Sequence, residues 1–129
     1  MRRTLVAVLL VLAAGGGCGA SGTLTAEQVR TEAEAAHSAA AEGALLAADV
    51  ARDRTTEPFA RVHSGVLADQ AQRAAEALDK PARPEIEPER RAAEGRAAEV
   101  AAALGRLHAH PTDRALAARL TVELERLAR

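Results

Sequence analysis

Hydrophobic positions in this chain follow two different patterns. From Leu5 to Ala14 they run without a break, whereas after residue 24 they recur every three or four residues. The second pattern sets apolar side chains along one face of a helix. It predicts four helices, at about 25–54, 57–80, 88–109 and 112–128. No alternating strand pattern competes with them. The predicted fold class is therefore all-α: four helices in two hairpins, most simply an antiparallel helical bundle. The other arrangement is an open pair of hairpins that closes only on dimerisation.

The first helix opens on Thr25-Ala26-Glu27-Gln28, the form of a capping box. Its stripe is Val29, Ala33, Ala36, Ala40, Ala44, Ala47 and Val50, all small residues that permit close backbone approach. Thr55-Thr56-Glu57-Pro58 reads as a stop and restart, because proline is tolerated in a first turn. The second stripe is Phe59, Val62 and Val66 with Leu67, Ala74 and Leu78, interrupted by Gln70, and it predicts the centre of the core. Pro81, Pro84 and Pro88 end that helix and mark a hinge. Ala93, Ala97, Val100, Leu104 and Leu107 line the third helix. Pro111 breaks it, Thr112 is placed to cap the fourth, and Leu116, Leu120, Leu124 and Leu127 form the last stripe.

The uninterrupted run is of another kind. Arg2 and Arg3 precede it and Gly15-Gly16-Gly17 follow it, which is the plan of a secretory signal peptide over residues 1–17. At about ten residues it is half the length a bilayer span needs. Immediately after it stands Cys18, the one cysteine of the chain. Leu12-Ala13-Ala14 followed by Gly16-Gly17-Cys18 resembles the lipobox of bacterial lipoproteins, with Gly15 where that pattern usually has an aliphatic residue. The resemblance implies that Cys18 becomes a lipidated N-terminus. The domain would then sit on the outer face of the bacterial cell membrane, with residues 18–24 as a flexible tether and 25–129 as the helical domain. A lone cysteine cannot form an internal disulfide, which agrees with acylation of Cys18. The alternative is a leader cut near Ala20 and a soluble, secreted domain.

Composition narrows the function classes. Removing the leader leaves 15 basic against 18 acidic residues, a formal charge of −3. That balance argues against nucleic acid as a partner. Phe59 is the sole aromatic, so stacking platforms for sugars or bases are not expected. The apolar content is mostly alanine and predicts a thin core, with a homodimer or partner as a source of further stability.

Candidate chemistry is sparse. Glu34-Ala35-Ala36-His37 has the Glu-x-x-His spacing that ferritin-like di-iron bundles use twice. It occurs once here, so Glu34 and His37 are weak metal candidates that need a dimer to complete a site. His108 and His110 sit near a helix C-terminus, where histidine serves the helix dipole. His63-Ser64 are neighbours without a nucleophile elbow, and Gly65 suits close packing. Glu85 and Glu87 read as solubilising charge in the hinge. The sequence thus predicts no enzyme and no cofactor. The expected function is a non-catalytic protein-interaction module, anchored in the membrane and docking an unknown envelope protein through the face around Phe59, Val62 and Val66. Carriage of an apolar ligand and a ferritin-like metal dimer are the alternatives.

Overall fold

The computed structural model describes residues 22–129. The leader, Cys18 and the first part of the tether lie outside the described residues. Four helices follow one another: α1 (Ala26–Ala51), α2 (Glu57–Leu78), α3 (Glu87–Ala109) and α4 (Arg114–Leu127). They run up, down, up and down, and each neighbouring pair packs antiparallel, as in a helical bundle.

Local chemistry accounts for the helix ends. The Gln28 N–H donates to Thr25 Oγ1 at 3.2 Å, and the Thr25 N–H donates to Gln28 Oε1 at 2.8 Å, completing the capping box. α1 stops at Ala51, three residues short of expectation, and Asp53 follows with φ of 58°. At α4 the cap is Asp113 and not Thr112: its carboxylate accepts the Leu116 N–H at 2.9 Å. Both types can cap a helix, and Asp113 occupies the residue directly before the first helical position.

α1 and α4 meet within one chain, so the bundle closes without a second copy, unlike the open pair of hairpins. α1 and α3 also touch across the bundle diagonal, and α2 and α4 do not touch. The cross-section is therefore a flattened rhomb with α2 and α4 at its far corners. Gly43 permits this approach. A Cβ there would lie 2.5 Å from Leu104 Cδ2 and 3.3 Å from Leu124 Cδ1.

Two apolar clusters fill the interior. One holds Leu46, Leu67, Leu104, Leu107, Leu120 and Leu124 among others. The second, at the end where the described chain begins, is built on Leu24, Val29, Leu78 and alanines. Leu24 is itself buried, and its N–H donates to the Pro81 carbonyl at 2.9 Å.

The largest departure from expectation concerns α2. Its buried residues include Ala60, Ser64, Leu67, Ala71, Ala74 and Leu78, while Phe59, Val62 and Val66 are exposed. The half of the predicted stripe that holds the aromatic is not core. Small residues at 60, 64 and 71 let α2 sit close to α1 and α3, and the continuous four-three spacing of the inner stripe outlasts the outer one, which becomes polar at Asp69.

Candidate interaction surface

The proline-rich segment is not a loose joint. Arg90 on α3 is buried, and its Nη1 donates to the Leu78 carbonyl at 2.6 Å and to Glu94 at 2.6 Å. Its Nε and Nη2 donate to the two Glu87 oxygens at 3.0 and 2.9 Å. Glu87 also accepts the Ala82 N–H at 3.2 Å. Glu87 is thus a structural clamp and not solubilising charge. The Arg90 and Arg91 guanidiniums hold its carboxyl at about 2, well below its ordinary 4.5. Hydrogen bonds to Glu87 and Glu94 raise the Arg90 pKa further. The signal was present in sequence as Glu87, Arg90 and Glu94 at helical spacing, but only their burial gives it meaning.

Beyond the clamp, the candidate chemistry disperses. Glu34 and His37 are both exposed on α1, and no group of three or more metal-ligand side chains exists among the described residues. The Ser64 hydroxyl is fully buried and donates to the Ala60 carbonyl at 2.6 Å. It is therefore turned away from solvent, where a nucleophile would have to act. His108 lies over Gly65, whose absent side chain makes room for the ring, and its Nδ1–H donates to the Arg61 carbonyl at 2.8 Å. That histidine joins α3 to α2. His110 is the exposed C-cap of α3.

What the fold leaves open is an apolar surface. Phe59, Val62 and Val66 are 57%, 66% and 54% exposed, and Leu45 of α1 beside them is 71% exposed. Isolated exposed apolar residues are ordinary, but a contiguous group on one face is a mark of interaction. Phe59 stacks on His63, with ring centroids 5.3 Å apart and planes 19° apart. His63 Nε2 stands 4.0 Å from Glu42 across the α1/α2 seam. Leu45, Leu46, Phe59 and His63, with Glu42 and Asp49, line a shallow cleft of about 200 Å³. Asp49 is answered by Arg54 at 2.6 Å, so Glu42 is the less neutralised acid at that cleft. On the other side of Leu45, Ala41, Ala44 and Ala48 floor an open groove of about 570 Å³ between α1 and α4.

The predicted docking residues are thus brought together, and Leu45 is the member that sequence reasoning missed. It falls off the α1 stripe and was readable only as an apolar residue out of phase. No described helix is long and apolar enough to cross a membrane. A scan against family models found no match, and neither curated proteins nor solved structures gave one.

Proposed function

We propose that this chain is an exported, lipid-anchored bacterial lipoprotein whose helical domain docks a protein partner without catalysis. One observation carries the docking part: the single aromatic stands in water in one patch with Leu45, Val62 and Val66, outside a bundle whose interior is filled mainly with alanine and leucine. A folded domain gains by burying such side chains, so leaving them in water is accounted for by a partner that covers them.

The anchor reading rests on the leader and Cys18. Six residue steps separate Cys18 from Leu24, a reach of at most about 20 Å. Leu24 is fastened beside Pro81, just past the C-terminal end of α2. Phe59 lies near the other end of that helix, about 28 Å away at 1.5 Å per residue. On this reading the apolar face points toward the far half of the domain, away from the lipid surface, which favours a protein over the membrane as its occupant.

Fractionation and intact mass of wild type and Cys18→Ser test the anchor. The expected result is a membrane-bound, acylated wild type and an unprocessed variant. A soluble wild type cut near Ala20 would refute it. A second reading, carriage of an apolar ligand, has the α1/α4 groove in its favour, and native mass spectrometry of detergent-free protein with no bound lipid would remove it.

A further inference from the structure

We propose that Arg91, Arg96 and Arg126 form a binding site for a phosphate group. They line one cleft of about 340 Å³ between the first half of α3 and the last turn of α4. Glu99 is the one carboxylate in that lining, so three guanidiniums face one acid in a chain of formal charge −1. The site lies away from the α1/α2 face and does not depend on the docking reading.

The ion pairs around the cleft leave it cationic. Glu87 accepts Arg91 Nε at 2.9 Å, but the same carboxylate also serves Arg90 and the Ala82 N–H. Arg90 is shared in turn with Glu94, so Arg90, Arg91, Glu87 and Glu94 balance one another. Glu99 takes a single Arg126 nitrogen at 3.2 Å, and both side chains are exposed. A surface pair of that kind holds weakly and opens at little cost. Arg96 has no ion pair among the described residues, and it is the uncompensated charge. Glu89, about two turns earlier on α3, shares with it only the neighbouring α1/α3 notch.

Arginine suits this ligand. A guanidinium presents its N–H groups in a planar fork that matches phosphate oxygens two at a time. Arg91 and Arg126 each give one nitrogen to a carboxylate, which leaves the rest of both forks for an anion. Gly95 keeps the space between them open: it is exposed, and a Cβ there would meet nothing within 4 Å. At Gly43 and Gly65, by contrast, Leu104 and His108 take the room. Packing therefore does not ask for a glycine at 95, where it costs helix propensity, and an ion between the arginines uses the gap. Gly105 of α3 is equally open but outside this lining, which makes it the control.

A phosphate group reaches such a site as a free ion or as a phospholipid headgroup, and the test separates the two. The intact protein is purified in an uncharged detergent without phosphate, at about 0.15 M sodium chloride. NMR follows the Nε–H signals of Arg91, Arg96 and Arg126 while inorganic phosphate, and separately phosphatidylglycerol, is added. Expected are shifts of all three signals that saturate. Saturation by phosphate alone assigns the free ion, by lipid alone the headgroup, and by both the group they share. Arg96→Gln should weaken the affinity about tenfold, because it removes a charged hydrogen-bonding partner. Arg119→Gln removes the same charge from an exposed position of α4 and should cost less than about twofold. Gly95→Leu should weaken binding with no loss of stability in urea, and Gly105→Leu should leave binding unchanged. Shifts that saturate with neither titrant overturn the site. Equal losses from Arg96→Gln and Arg119→Gln, or full binding in Gly95→Leu, overturn it as well.

Discussion

The two ends of the bundle are held together by different means. At the end far from Leu24, leucines stand among the alanines of the interior: Leu104, Leu107, Leu120 and Leu124 are fully buried and pack with Leu46, Leu67 and Leu127. At the near end the interior is mostly alanine around Leu24, Val29 and Leu78, and there the buried Arg90 ties α2 to α3 through Leu78, Glu87 and Glu94. Alanine removes little apolar area from water, so burial alone holds that end weakly. A hydrogen-bonded cation, satisfied by two carboxylates and the C-terminal carbonyl of a helix, supplies the fastening there. No buried side-chain polar atom among the described residues lacks a partner. Where apolar volume is short, this chain substitutes directed polar contacts.

The sharpest way to break the leucine end is Leu104→Ala. Leu104 touches the space above Gly43 and lies in the interior shared by α1, α3 and α4. The substitution should lower unfolding free energy by about 2–5 kcal/mol, read by urea denaturation, because the cavity cannot collapse against a helix already in close contact. An effect below about 1 kcal/mol would mean the far core is looser than described.

The near end should break at Arg90→Ala, with a smaller loss of stability than Leu104→Ala. Its signature is local: amide exchange at Leu24 and Ala82, whose N–H groups bond to Pro81 and Glu87, should speed up before that of α4. Uniform acceleration through the molecule would contradict a local clamp.

The clamp also predicts a pH dependence confined to acid. Glu87 has a folded pKa of about 2 against an ordinary 4.5, so it favours the folded state fully above 4.5. That stabilisation is lost as pH falls from 4.5 toward 2. Arg90 is raised from a value already far above neutral and adds no dependence in the working range. The difference in urea midpoint between wild type and Glu87→Gln should be constant above 4.5 and shrink toward 2. A difference that persists unchanged at the acid end would refute the assignment.

The smallest expected effect is on the outer face. Val62→Ser should change stability by no more than about 0.5 kcal/mol, because that residue is 66% exposed. A loss of about 2 kcal/mol would place Val62 in the core after all.

Much of this architecture was legible in the chain. Thr25 and Gln28 announced the start of α1, Pro58 and Pro88 the starts of α2 and α3, and the leucine stripes of α3 and α4 their inner faces. These features are local, since capping, proline geometry and helical period act within one or two turns. Phe59 was misread for the same reason. α2 carries two offset stripes, and periodicity cannot say which of them faces in. The candidate surface followed from that ambiguity: Phe59, Val62 and Val66 were singled out, but their exposure was not foreseen and Leu45 was missed.

By itself, then, the sequence determined four helices and most of their ends. Only the tertiary structure decided that α2 turns Ala60, Ser64 and Leu67 inward and leaves Phe59, Val62 and Val66 in water. It also decided that a glutamate in a proline-rich turn serves a buried arginine. Both choices depend on how the helices pack against one another, which no signal within a single helix carries. Small residues at Ala60, Ser64 and Ala71 form the face of α2 that is buried, and Gly43 of α1 gives room to Leu104 of α3 and Leu124 of α4.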